Sequence, residues 1–337
     1  MSTRQQGAPG VKPAAPPPRR SPRLPGGIAS RYAILVVWAA MIAVYGTTET
    51  STFMSWGTFH SIFGSGQQPL VFMTMALLCT VCVGEFVDLS VPGVFGFAAT
   101  IVPVLVVNHG WGVWPASIVA IVGSVAVGAV NAYLVVVVGV NTIVVTLGMS
   151  TFLEGIALWM SNLNTISGLP SGFSDIATEP VGGMPISFWY GVILVLAFAY
   201  ILAFTPLGRH MRFVGASREV SRLSGVRVNR IRFGSFVFAG LLSGVGAVIA
   251  VAGLGSYNPT TTDTYLLPVF ASVFLGTAII ETGRFNPIGT WIGIYFLNTG
   301  IFGLELTGVA PWVSDVFYGG VLVIAVTVST VLHRRST

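Results

Sequence analysis

The sequence predicts an all-α, polytopic membrane protein of about ten transmembrane helices. Three observations carry that prediction. Hydrophobic residues make up 53% of the 337 residues and charged residues only 8%, too few to cover a soluble chain of this length. Mean hydropathy is +0.83 and glycine is abundant at 41, a composition that fits a membrane protein and not a soluble one. The basic residues gather in short stretches at the borders of those runs.

Residues 1–30, MSTRQQGAPGVKPAAPPPRRSPRLPGGIAS, are dominated by Pro, Gly and Arg and are expected to form a disordered tail. The basic region is too long for a cleavable signal, and no small-residue cleavage site follows a short apolar run. Residues 31–333 form the membrane domain, and 334–337 a second short tail. Within the domain, apolar runs near 32–48, 69–84, 90–107, 114–138, 142–161, 185–204, 231–253, 263–280, 287–303 and 313–332 read as spans. The second and third are the most interrupted: GEFVDLS at 84–90 puts two carboxylates between them, and Pro92 and Pro103 fall in the third. About eight or nine spans are the alternative counts. The longest connection on the outer side, Asn162 to Met184, is rich in Gly, Pro, Ser and Thr and is expected to be irregular. It reads equally as a plain connector or as a surface for a soluble partner.

Thr205 to Arg232, TPLGRHMRFVGASREVSRLSGVRVNRIR, holds seven of the 16 basic residues: Arg209, Arg212, Arg218, Arg222, Arg227, Arg230 and Arg232. Long apolar runs flank it, so the positive-inside rule makes it a cytoplasmic loop. An even number of spans with both termini cytoplasmic then puts all 16 basic residues on one side, including Arg19, Arg20, Arg23, Arg31, Arg284 and the 333–335 His-Arg-Arg run. Glu49, Asp175, Glu179, Asp263, Glu305 and Asp315 fall at outer connections or span mouths. Topology thus accounts for the net charge of +5, and no nucleic acid partner is implied.

Catalytic signatures are missing from the sequence. The one lysine, Lys12, lies in the tail, and there is no G-x-x-x-x-G-K-[ST] loop to cradle a phosphate. There is no H-E-x-x-H, no G-x-S-x-G and no cluster of Cys and His. Cys79 and Cys82 lie inside an apolar run and read as small packing residues. No cofactor or metal is expected, and the chain reads as a non-catalytic subunit. An ion-coupled carrier acting alone is the alternative, since a few intramembrane polar residues suffice to bind an ion.

Three stretches resemble the permease subunits of bacterial ABC importers of the ribose/xylose/galactose class. GEFVDLSVPGVFGF at 84–97 resembles that family's G-[GE]-x-D-L-S-V-G turn. VNAYLVVVVGVNTIVVTLGMSTFLEGIAL at 130–158 resembles its N-G-x-L-V run leading to T-L-G and R-G-x-A. The 205–232 stretch resembles its T-x-x-G-R loop ending in [ST]-G-[IV], and LPVFASVFLGTAIIETGRFNPIGTWIGI follows the same pattern. The likeness covers roughly residues 32–330. It implies a type II-like importer permease in the bacterial inner membrane. Its implied partners are separate ATPase subunits, an external solute-binding protein and a second permease chain, and its implied cargo is a sugar. A branched-chain amino acid permease is the near alternative. This sequence departs from the pattern at Val87, an extra residue before Asp88, at Pro92 in place of Gly, and at Glu154 in place of Arg.

The resemblance makes 205–232 the coupling loop to the ATPase, and the residues support that independently. Ala216 to Leu223 is helix-competent, with Ser217 as N-cap and Gly225 as stop. Val220 and Leu223 share a face that fits an apolar groove, while Arg218 and Arg222, near Glu219, are positioned for acids on the partner. Candidates for the translocation pathway are Asp88, Ser90, Asn131, Asn141, Glu154 and Asn298. Each has a structural alternative. Asp88 and Asn141 are suited to capping helices, and Asn131 and Asn298 to bridging them. Glu154, about 13 residues beyond Asn141, lies roughly 20 Å further along the helix, in the outer half.

Overall fold

The computed structural model describes residues 26–336 other than Phe86 and Thr282. Apolar sequence with almost no charge leaves helix as the one local solution in which the backbone satisfies itself, and the described residues are helical nearly throughout. In order they form α1 (Gly26–Thr48), α2 (Thr50–Phe53), α3 (Trp56–Phe63), α4 (Gln68–Val81), α5 (Val91–Pro103), α6 (Val113–Ala132) and α7 (Thr142–Ser161). Strand β1 (Ile166–Ser167), α8 (Ser171–Thr178), β2 (Pro180–Val181) and β3 (Met184–Pro185) precede α9 (Ile186–Phe204). Then follow α10 (Pro206–Ala216), α11 (Arg218–Leu223), α12 (Val228–Leu254), β4 (Ser256–Tyr257), α13 (Leu266–Gly276), α14 (Pro287–Leu306) and α15 (Trp312–Ser336).

Each of the ten expected spans coincides with a helix. Six segments, Trp56–Val81, Val91–Asn108, Val113–Val138, Thr142–Ser161, Ile186–Phe204 and Val228–Leu254, are long and apolar enough to cross a membrane. These are the expected second to seventh spans. The break between the second and third stands, residues 82–90 joining α4 to α5, but the prolines do not interrupt the third. Pro92 sits in the first turn of α5, where its missing N–H costs nothing, and the backbone passes Pro103 into a π-helical turn at Val104–Asn108. The eighth is shorter than expected. A 3₁₀ segment, Pro259–Tyr265, occupies its start and α13 stops at Gly276, about 16 Å of helix.

Three other expectations are corrected. Helix α1 begins at Gly26, inside the expected tail, of which residues 1–25 lie outside the described residues. At the other end α15 continues to Ser336, although the side chains of Arg31 and of residues 333–335 are not among those described. The Asn162–Met184 connection is ordered rather than irregular. Phe173 and Ala177 bury one face of α8, which packs on α12, and β1 pairs antiparallel with β4 (Ile166 opposite Tyr257).

The connections alternate between two ends. At one end β1–β4 and the Trp114–Phe173 ring contact join three of them. At the other lie the 82–90, 139–141, 205–227 and 277–286 connections, with the seven arginines of 205–232 and Arg284. Helix α12 is the axis of the bundle, packed on α4, α5 and α6. Its approach to α6 is backbone against backbone: a Cβ on Gly128 would come within 2.5 Å of the Phe236 carbonyl oxygen, and one on Gly240 would strike the Ser124 carbonyl. The outer faces of α6, α7 and α9 expose Val122, Leu147, Phe152, Ile193, Leu196 and Tyr200. Lipid or another membrane chain is the environment such faces fit.

Candidate functional site

The basic end carries a short capped helix. Thr205 caps α10 by accepting from the Gly208 N–H at 3.2 Å, and Pro206 opens it. Met211 and Val214 are buried while Arg209 and His210 face outward, so α10 lies along the end of the bundle. Ser217 then breaks the helix with an extended backbone, and its Oγ accepts from the Val220 N–H at 3.4 Å. Ala216, expected inside the second helix, closes the first instead. Helix α11 ends in a Schellman turn: Gly225 is left-handed at φ 80°, its N–H reaches the Arg222 carbonyl at 3.1 Å, and the Val226 N–H reaches Ser221 at 3.0 Å. The expected cap and stop are both in place.

What α11 presents is apolar at the centre and basic around it. Leu223 is 83% exposed and Val220 51%. Arg222 and Glu219 on the same helix are exposed, as are Arg227 and Arg230 beyond its end. Arg218 is different. Expected to face a partner, it turns inward: its Nη2 donates to the Gly84 carbonyl at 2.7 Å and to Glu85 Oε1 at 3.1 Å. The rim thus keeps Arg222, while Arg218, still 45% exposed, also ties to Glu85.

Glu85, which sequence reasoning did not single out, is 1% exposed. Besides Arg218 it accepts from Arg232 Nε, at the start of α12, and its Oε2 accepts from Thr142 Oγ1 at 2.8 Å, at the start of α7. A buried carboxylate is tolerated when cations and hydroxyls meet it in this way. A signal was present: two carboxylates interrupt an apolar run on the same side as the most basic stretch. A cleft of about 480 Å³ opens here, lined by Glu85, Arg218 and Arg232 together with Val136, Asn141 and Thr142.

A second polar chain follows on the same connection. Asp88 accepts from both the N–H (3.0 Å) and the Oγ–H (2.6 Å) of Ser90, and Asn131 Nδ2 of α6 donates to Ser90 Oγ at 2.9 Å. Asp88 therefore closes a local turn before α5, rather than capping the helix itself. All three residues are buried. Burial pushes the Asp88 carboxyl, which lies between the spanning segments, up to about 6, the Ser90 hydrogen bonds only partly offsetting this. Asn141 caps α7, its Oδ1 accepting from the Ile143 N–H at 2.9 Å, and lines the cleft. Asn286 caps α14 in the same way through the Gly289 N–H.

The other two pathway candidates lie apart. Glu154 is near the opposite end, its carboxyl beside that of Asp263. Asn298 is buried in α14, and its Nδ2 finds no partner among the described residues. The structure therefore unites Asp88, Ser90 and Asn131, sets Asn141 at the neighbouring cleft, and separates Glu154 and Asn298 from both.

Residues 67–326 match the family described as branched-chain amino acid transport system / permease component. Among similar proteins are the autoinducer 2 import system permease proteins LsrD of Escherichia coli (strain K12) and Shigella flexneri, each 33% identical over 215 residues. The LsrD of Yersinia pestis (strain Pestoides F) is 30% identical over 215 residues. In each case the match covers 62% of this chain and 65% of the relative, so the chain spans just under two thirds of these relatives' length. No solved structure matches the chain.

Proposed function

Because the chain belongs to the family of branched-chain amino acid transport system permease components, we propose that it is the membrane-spanning permease subunit of an ATP-driven importer. In this reading it contributes the translocation pathway and no catalysis. ATP is hydrolysed by separate ATPase subunits, an external binding protein delivers the solute, and a second permease chain, identical or paralogous, completes the pathway. The protein sits in the bacterial inner membrane with both termini and the basic end in the cytoplasm.

The observation that carries the reading is the exposed pair Val220 and Leu223 on a helix capped at both ends, at the most basic face of the molecule. An exposed Leu ringed by arginines is the surface that an apolar groove with an acidic rim accepts. Ser217 to Gly225 form this coupling element, with Arg222 and Glu219 at its edge. Asp88, Ser90, Asn131 and Asn141 are the pathway candidates nearest to it.

For the solute, the motif order of 84–97, 130–158 and 205–232 favours a small, neutral, hydroxylated compound, a monosaccharide. The family description names branched-chain amino acids, and the LsrD relatives are named for autoinducer 2. Screening the cognate binding protein by thermal shift against monosaccharides, branched-chain amino acids and autoinducer 2 separates these, with stabilisation by a monosaccharide expected. Uptake into vesicles is expected to require ATP and the ATPase chain. Uptake by this chain alone, driven by an ion gradient, would overturn the importer reading.

A further inference from the structure

The connection between α4 and α5 is held to three other elements by one side chain. Glu85 binds Arg218 at the first residue of α11, Arg232 near the start of α12 and Thr142 at the first residue of α7. The backbone adds to this grip. Arg218 Nη2 also donates to the Gly84 carbonyl, and Gly84 and Gly215 pack so closely that a Cβ on Gly84 would lie 3.2 Å from the Gly215 Cα. Glu85 is 1% exposed, whereas Arg218 keeps 45% of its side chain in solvent. The carboxylate is therefore the buried centre, and Arg218 the arm that reaches it from the surface helix.

We propose that Glu85 is the positioning residue that makes α11 move as one body with α7 and α12. The proposal rests on the permease reading above. Val220 and Leu223 receive the partner, yet α11 is a single short helix between two turns. Without a rigid tie, a push on it would be absorbed by the Ser217 and Gly225 junctions. The tie is electrostatic and its centre is buried: parting both arms from Glu85 leaves a buried carboxylate without its cations, so the parts move together in preference to separating. From the same connection the Asp88–Ser90–Asn131 chain continues to α6. The elements fastened at Glu85 include α7 and α12, two of the segments long enough to span the membrane.

The test uses the whole importer, this chain with its ATPase and binding protein, reconstituted in proteoliposomes. Solute accumulated per ATP hydrolysed is the readout, because a merely structural loss lowers both quantities together. E85Q keeps the side chain's size and an acceptor oxygen but removes the charge. It is expected to retain the ATPase in the complex and to lower the transport-to-hydrolysis ratio about 30-fold or more, the scale set by leaving a buried charged pair incomplete. E85D is expected to restore most of the ratio. R218Q, which leaves Glu85 with Arg232, is expected to lower it as well, and the E85Q/R218Q double variant to be no worse than E85Q. An unchanged ratio in E85Q overturns the proposal. Should E85Q fail to fold, an unchanged ratio in R218Q does so. If the unaltered complex shows no ATP-driven uptake, the permease reading fails first and takes this proposal with it.

Discussion

Replacing Leu223 with Asp tests the coupling face most directly, because the side chain lies almost wholly outside the fold. Leu223 is 83% exposed, so the bundle loses little when it changes. Burying a whole leucine is worth about 1.5–3 kcal/mol, and covering the exposed share about 1.2–2.5 kcal/mol. A carboxylate in its place forfeits that gain and adds a desolvation cost of at least about 1–3 kcal/mol, the figure for a neutral polar group. The sum, at least about 2–5 kcal/mol, weakens ATPase binding by roughly 40-fold or more. Copurification of the ATPase with the tagged permease, followed by ATP-driven uptake in vesicles, reads this out. Leu223→Asp is expected to insert normally and to lose both. Arg222→Ala, at the rim, is expected to cost less than about 1 kcal/mol, and its effect should shrink as salt rises. Normal uptake by Leu223→Asp would show that α11 is not the coupling element.

Three further outcomes are expected. Ser171→Cys and Ser224→Cys, both at exposed positions on opposite ends, should label differently with an impermeant maleimide, Ser171→Cys in intact cells and Ser224→Cys only after permeabilisation; the native Cys79 and Cys82 are buried and can remain. Labelling of Ser224→Cys from outside would reverse the orientation. Gly240→Ala should lower thermal stability by about 1–3 kcal/mol, since its methyl meets the Ser124 carbonyl of α6, whereas Gly148→Ala, with open space around it, should not; equal stabilities would contradict the close crossing. Asp88→Asn addresses charge. The folded pKa of Asp88, about 6, lies above its ordinary 3.8, so the folded state favours the proton and native stability falls as pH rises through that interval. The variant should therefore melt higher than the parent above pH 6, by roughly 2–3 kcal/mol, and converge with it near pH 4. A constant difference across that range would remove Asp88 as its source.

Local chemistry was readable in advance, and distant pairing was not. Ser217 and Gly225 act within four residues of themselves, so their types alone announced a helix start and stop. Apolar runs long enough to cross the hydrocarbon core likewise announced α6, α7, α9 and α12. The fate of Arg218 depended on Glu85, 133 residues away, and no periodicity connects the two. The same holds for Asn131 meeting Ser90 across 41 residues. The Asn162–Met184 connection looked irregular because Gly and Pro dominate it. Its order comes from Phe173 and Ala177 settling on α12 and from β4, which lies far along the chain. Trp56–Phe63 was passed over because eight residues are too few to stand out as a span, although Ser55 caps them.

The separation along the chain also gives Glu85 a history during synthesis. Thr142 follows it after 57 residues, but Arg218 and Arg232 follow only after 133 and 147. At ribosomal speeds the gap lasts about 7–30 s. Throughout it, α4 and α5 have left the ribosome with their carboxylate answered by a hydroxyl at most. The nascent protein must hold that charge at the lipid headgroups, or against the insertion machinery, until α10 to α12 arrive. A chain interrupted after α9 never receives either arginine, and its carboxylate keeps no cation to answer it.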